Sequence, residues 1–266
     1  MKKVAIRIIQ VILILYIVFC GLFYGFQEKL IFAPEKLNKD YQFSFEQSFE
    51  EVTINASDGI SINGLLFKAD SSKGLLFYLH GNAGSLSSWG NVAKAYTDLN
   101  YDVFILDYRG YGKSEGSISS QNQLYQDIQR AYDVLRKEYA EENTIVLGYS
   151  IGSGPAAYLA STNHPKLLIL QAPYFNLTDM ANLLYPIAPT FLLKYKFATN
   201  EYIQDCEMPV VILHGDQDAV ISYESSLMLK ENFKPQDTLI TLKGLGHNAI
   251  TYTDVYQTEI AKLLEE

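Results

Sequence analysis

The sequence predicts an α/β domain on a mainly parallel, eight-stranded sheet with helices on both faces, preceded by one N-terminal transmembrane helix. Three observations carry this expectation. From residue 74 onward, short apolar runs alternate with amphipathic segments, the pattern of a buried parallel sheet and its crossover helices. Residues 51–56 and 60–68 alternate in polarity around the turn residues Ser57, Asp58 and Gly59, which reads as an antiparallel hairpin. Residues 4–26 are apolar except for Arg7 and Gln10.

The N-terminal run is long enough to cross a bilayer, for which about 20 apolar residues suffice. Lys2, Lys3 and Arg7 stand on or before it, and Tyr16, Phe23, Tyr24 and Phe26 make its far part aromatic. This asymmetry predicts a cytoplasmic N-terminus and an exported body. A cleaved signal peptide is the competing reading, but residues 21–26 read GLFYGF and lack a small-x-small site. Acylation at Cys20 is a third reading, and it meets a bulky Phe19 where a lipoprotein signal has a small residue. A buried amphipathic helix is a fourth reading, disfavoured because the segment is apolar all round. The expected organisation is an anchor over residues 1–28, a polar and aromatic linker over 29–48, and one α/β domain over 49–266.

Within that domain the eight expected strands are residues 51–56, 60–68, 74–79, 101–106, 144–149, 166–170, 209–213 and 238–242. Helical spacing is expected over residues 85–99, 121–139, 152–161, 222–232 and 254–264. An insertion at about 174–206 lies between the sixth and seventh strands and reads as a short cap. No internal repeat or low-complexity tract is evident.

Composition narrows the function classes. Of 266 residues, 48% are hydrophobic and 19% charged, which is globular and not disordered. The net charge of −9, with no run of Lys and Arg, argues against a nucleic-acid partner. Cys20 and Cys206 fall on opposite sides of the expected membrane boundary, so no intramolecular disulfide is expected. Neither they nor the four histidines stand at metal-ligand spacing, so no metal and no cofactor are expected.

The chemistry centres on G-x-S-x-G at Gly148, Tyr149, Ser150, Ile151 and Gly152. It directly follows an apolar strand and directly opens a small-residue helix, the context of a nucleophile elbow. Such a sharp reversal strains the Ser backbone and projects its hydroxyl, while Gly148 and Gly152 remove side chains that would clash. The helix N-terminus adds free N–H groups and positive dipole. A serine hydroxyl needs a base, and the partners of an elbow follow in the chain order acid, then histidine. Asp216 and Asp218 both follow the strand at 209–213. Asp218 lies in the loop beyond the strand end and is the expected acid, with Asp216 capping or orienting that loop. His247, in Gly244-Leu245-Gly246-His247-Asn248, is the expected base. His214 is read as structural, His164 as part of a connecting loop, and His80 as lying upstream of the serine.

His80-Gly81-Asn82-Ala83-Gly84 follows the strand at 74–79, and Gly81 and Gly84 let backbone approach a developing oxyanion. The expected donors are the N–H groups of Asn82 and Ile151. Residues 107–114, DYRGYGKS, are expected to brace the site, with direct substrate contact by Tyr108 or Arg109 as the lesser alternative.

The blocks LHGNAGS, LDYRGYGKSEG, LGYSIGSG, LHGDQDAVI and GLGHN resemble those of membrane-anchored α/β-hydrolase-domain proteins, close to the serine aminopeptidase-like group. The N-terminal helix followed by QEKLIFAPEKL is similar to that group as well, so the resemblance covers nearly the whole chain. It implies an α/β-hydrolase fold and the triad Ser150, Asp218 and His247. It leaves the substrate open among esters, thioesters, lipids and peptides. Members commonly have Leu or Met where this chain has Ile151, and the backbone role does not depend on that side chain. The expected cap contains NLLYPIAPTFLLKYKF, whose apolar character favours a small-molecule or lipid-like ester over a long peptide. A non-catalytic scaffold would show a replaced triad member or oxyanion glycine, and none is replaced. Dehalogenase and epoxide hydrolase chemistry would need a carboxylate where Ser150 stands.

Overall fold

The computed structural model describes residues 1–265; Glu266, the last residue of the expected domain, lies outside the described residues. The chain opens with α1 (Lys2–Gly25), followed by α2 (Gln27–Ile31) and the short β1 (Ala33–Pro34). The hairpin β2 (Phe49–Asn55) and β3 (Ser61–Phe67) comes next, turning at Gly59, whose φ of +82° suits a residue without a side chain. Then follow β4 (Leu75–Leu79), the short β5 (Ala83–Gly84), α3 (Leu86–Trp89), α4 (Lys94–Thr97), β6 (Asp102–Leu106) and α5 (Gln121–Leu135). The second half runs β7 (Thr144–Tyr149), α6 (Ser153–Ser161), β8 (Leu167–Gln171), α7 (Leu177–Leu184), α8 (Thr199–Asp205), β9 (Val210–Gly215), α9 (Glu224–Lys230), β10 (Thr238–Leu242) and α10 (Asp254–Glu265).

Eight strands form one sheet in the order β10-β9-β8-β7-β4-β6-β3-β2. The hairpin pairs antiparallel, as does β3 with β6, and every other neighbour pair is parallel. Strands β4, β6, β7 and β8 are apolar nearly throughout and fully buried because helices cover both faces. Two apolar layers result, one around Phe77, Phe104, Tyr132 and Ile212, the other around Tyr78, Tyr96, Ile105 and Tyr256. The chain steps from β4 to β6 on one side and returns to β7 on the other. The ends of β4 and β7 therefore form a switch point, where an open α/β sheet leaves a crevice.

Three expectations are refined. The helix expected over 85–99 is broken into α3, a 3-10 turn (Gly90–Ala93) and α4. The Phe45 ring lies against Gly90 so closely that a Cβ there would overlap it. The segment expected as a cap divides in two. Helix α8 packs on α6 and buries Ile203 against the sheet, whereas α7 and the following loop to Leu193 cover the site. Residues 29–48, expected as a linker, are strapped to the domain. Strand β1 pairs parallel with β5, Lys36 bridges Gly112, and Phe32 is buried. Glu35 N donates to Gly84 O, and Gly112 N donates to Glu35 O.

Helix α1 is long and apolar enough to cross a membrane and stands away from the domain, with Phe23 its one buried residue. Its foot is held by the cap: Tyr16 Oη donates to Ile187 O at 3.1 Å, and Gln27 Nε2 donates to Leu192 O at 2.7 Å.

A chain beginning at Gln27 keeps every strap contact of residues 33–37, whereas one beginning at Asn38 loses them. At about 1 kcal/mol for each of the two backbone hydrogen bonds of Glu35 and about 2 kcal/mol for Phe32 burial, the shorter chain loses at least about 4 kcal/mol and is expected to unfold on the order of 10–15 °C lower in calorimetry. Equal midpoints would show that the strap adds nothing.

Candidate active site

At the end of β7 the chain turns into α6 through a 3-10 turn (Ser150–Gly152). Ser150 has φ +53°, the left-handed region that costs a side-chain-bearing residue about 1 kcal/mol or more. The turn closes only because its neighbours are glycines. A Cβ on Gly152 would run into the Leu79 carbonyl, and one on Gly148 would meet Ala156 and the Gly152 carbonyl. Ser153 Oγ donates to Ser150 O at 2.7 Å, and the Tyr174 hydroxyl accepts from Gly154 N and donates to Ile151 O.

The structure brings the three expected residues together from distant loops. His247 Nε2 lies 3.0 Å from Ser150 Oγ, and His247 Nδ1 lies 2.6 Å from Asp218 Oδ2. All three are buried. Asp218 Oδ1 accepts from the N–H groups of Val220 and Ile221, both at 2.8 Å. Asp216 Oδ1 instead accepts from Gly244 N at 2.7 Å, tying the acid loop to the histidine loop. Tyr149 Oη donates to His247 O, and its ring stacks on the imidazole.

Ser150, Ile151, Gly81, Asn82 and His247 line one cavity of about 490 Å³, completed by Trp89, Tyr174, Leu177, Met180 and Tyr252 among others. Gly81 is required by crowding from Tyr149 and Trp89, and Gly84 adopts φ +96° where β5 meets β1. Asn82 Oδ1 accepts from Ala33 N and from Tyr111 Oη, so the strap and the 107–114 loop both hold this turn. That loop braces the site: Tyr108 Oη donates to His80 O, and Asp107 accepts from Leu86 N. Arg109 has no reach to the cavity. Its guanidinium is spent on Asp58 and Asp127.

Residues 70–202 match the family model described as serine aminopeptidase, S33. The chain belongs to this α/β-hydrolase family. Among curated relatives, α/β-hydrolase domain-containing protein 17B of Xenopus tropicalis is 31% identical over 236 residues, covering 85% of this chain and 80% of the relative. The human 17B protein is 29% identical over the same shares. Solved structures of the same fold include an esterase of Pyrococcus furiosus, with a TM-score of 0.69 at 18% identity over 87% of this chain and 98% of that one. Est1E of Butyrivibrio proteoclasticus with bound ferulic acid gives 0.66 at 20% identity over 80% and 96%. This α/β-hydrolase is therefore a serine hydrolase.

One contact of the hydrolase was not legible as part of the site. His214 Nε2 lies 3.1 Å from the same Asp218 Oδ2 that faces His247, and 3.0 Å from Ile221 O; its Nδ1 lies 2.6 Å from Ser226 Oγ. The only sequence signal for this was a histidine four residues before the acid. Burial pushes the Asp218 pKa up, but hydrogen bonds from His214 and His247 and the Ile221 and Val220 amides outweigh it. They hold the carboxyl well below the usual carboxylate range.

A depressed folded-state pKa stabilises the fold above the unfolded value of about 4, and that stabilisation is lost as pH falls through the folded value. His214→Leu removes one of these bonds and leaves Ser226 unmatched. It is expected to cost about 2–3 kcal/mol near neutral pH, with the deficit shrinking below about pH 4. Urea unfolding of both proteins at a series of pH values checks this; a deficit independent of pH would show that His214 acts by packing alone.

Proposed function

We propose that this chain is a membrane-anchored serine hydrolase that cleaves carboxylic ester or thioester bonds of small or acyl-chain substrates. Ser150 is the nucleophile, His247 the general base and acid, and Asp218 the group that orients the imidazole. The observation that carries the substrate reading is the cavity above Ser150: its lining is mostly apolar and aromatic, its polar members are uncharged apart from the His247 imidazole, and among the described residues it includes no Asp, Glu, Lys or Arg. An aminopeptidase needs a carboxylate for the substrate's free amine, so the aminopeptidase alternative lacks its anchoring group in this lining. A hydrocarbon acyl or alcohol group needs no such partner.

The mechanism follows from the distances. His247 Nε2 removes the Ser150 proton as Oγ attacks the carbonyl carbon. The carbonyl oxygen becomes an oxyanion held by the N–H groups of Asn82 and Ile151, the second at the start of the elbow turn where the α6 dipole adds positive potential. Collapse expels the alcohol or thiol, protonated by His247, and leaves an acyl-enzyme. Water activated by the same imidazole then releases the acid. Asp218 stays ionised throughout, because its carboxyl is held low by four hydrogen-bond donors. No step calls on a metal or cofactor. Helix α1 is read as the anchor, with Lys2, Lys3 and Arg7 keeping the N-terminus in the cytoplasm and the hydrolase domain on the far face.

Turnover of p-nitrophenyl esters by the full chain is expected to fall by about 10⁶-fold in kcat for Ser150→Ala, with loss of fluorophosphonate labelling. Retained turnover in the variant would remove Ser150 from the mechanism. A reporter active only outside the cytoplasm, fused after residue 266, is expected to be active. A silent one, with a cytoplasmic reporter active at the same place, would reverse the orientation.

A further inference from the structure

A second cavity, of about 170 Å³, lies between the foot of α1 and the cap. Phe23, Leu30 and Ile31 line one wall, and Ala181, Leu184 and Tyr185 the other. Its one polar lining side chain in the described residues besides Tyr hydroxyls is Gln27, and both ends of that amide are satisfied: Nε2 donates to Leu192 O and Oε1 accepts from Lys194 N. Nothing in the cavity asks for a polar ligand.

This cavity shares a wall with the one above Ser150. Ile151, Leu177 and Met180 line both. Ile151 directly follows the nucleophile, so a hydrocarbon chain leaving an acyl carbonyl at Ser150 needs to pass only these three side chains to reach the second cavity. On the outside, Leu183, Leu184, Ile187 and Phe191 stand between 61% and 84% exposed. They are continuous with the exposed apolar surface of α1. Tyr16, which holds Ile187 O, stands nine residues before Gly25, about 14 Å along the helix at 1.5 Å per residue. If α1 spans a bilayer, this loop of the cap lies at the depth of the outer part of that span. Exposed apolar groups at such a place are matched by lipid, not by water.

We propose that the cavity between anchor and cap is an acyl-chain site, filled from the bilayer: the substrate is a long-chain acyl ester that enters sideways between α1 and α7. The proposal rests on the serine-hydrolase and membrane-anchor reading above, and it adds the substrate class and its route. The anchor then has two tasks, tethering the domain and, through Phe23 and the adjoining α2, forming one wall of the acyl site.

The test uses the full chain in phospholipid nanodiscs with alkyl fluorophosphonates of short and of hexadecyl length, the latter carrying a diazirine at the chain end. Ser150 Oγ bonds to phosphorus, fluoride leaves, and the hydroxyl proton passes to His247. Irradiation followed by mass spectrometry is expected to place the crosslink on residues 19–31 or 181–195. Crosslinks confined to Trp89, Val92 or Tyr252, which line only the Ser150 cavity, would overturn the acyl site. Labelling by the short probe alone would overturn it too, leaving the hydrolase reading intact. Labelling by neither would bring down both. In parallel, kcat/KM for p-nitrophenyl esters is expected to rise about threefold to fourfold per added methylene until the cavity is full. Ala181→Trp, which fills the cavity, is expected to lower the ratio of long-chain to short-chain kcat/KM by about tenfold, and an unchanged ratio would count against the site. Adding disc lipid at fixed total long-chain ester is expected to slow hydrolysis by surface dilution. A rate that follows total ester alone would show arrival from water and overturn the lateral route.

Discussion

The reversal from β7 into α6 is the constraint on which the site depends. Ser150 is held at φ +53°, and the turn is so tight that neither Gly148 nor Gly152 has room for a Cβ. The obstacle at Gly152 is the Leu79 carbonyl at the end of β4, the strand beside β7 at the sheet's switch point. The elbow and the glycine-containing turn after β4 are thus pressed together by the parallel pairing of their two strands. That pairing places Ser150 and Ile151 around one cavity with Asn82, which lies 68 residues before Ser150 in the chain. Strain of this kind persists only where the surroundings over-determine it, and here two buried strands and a helix do so.

The Asp218 carboxylate is the second fixed point. A buried charge is costly unless its lone pairs are met, and this one is met by two amides and two imidazoles. Because those donors come from β9, from the acid loop and from the loop before α10, meeting the charge also folds the loops against each other. Asp216 reinforces the same junction through Gly244 N, and the Gly215 backbone approaches Leu245 too closely to admit a side chain. The imidazole of His247 is then gripped on three sides, by Asp218, by the stacked Tyr149 ring and by the Tyr149 hydroxyl on its carbonyl.

The segment that follows the apolar helix α1 is built into this assembly. The straps at residues 33–37 hold the turn after β4 through Asn82 and Gly84, and α1 and α2 hold the cap through Tyr16, Phe23 and Gln27. The apolar helix, the segment after it and the candidate site are therefore packed as one unit. Lys194 on the cap pairs with Glu28 and lies over the Tyr24 ring, so the junction between the apolar helix and the domain is closed by partly exposed polar contacts at its rim.

The six later strands were legible as short apolar runs, such as burial within a parallel sheet demands, and the first two as an alternating hairpin around Gly59. Ser150, Asp218 and His247 were legible because each stands just past one of those runs, in the chain order an elbow requires. Local pattern determined this much: which segments are buried, which loops leave the strand ends, and which reactive side chains those loops carry. Tertiary structure alone decided the rest. That His214 shares the Asp218 carboxylate, that residues 33–37 pair with the turn after β4, that the Phe45 ring packs against Gly90, and that α8 packs on α6 while α7 lines the site all depend on contacts made across the fold. Such contacts leave no periodic trace, because hydrophobic patterning reports whether a residue is buried and not which distant partner it is buried against.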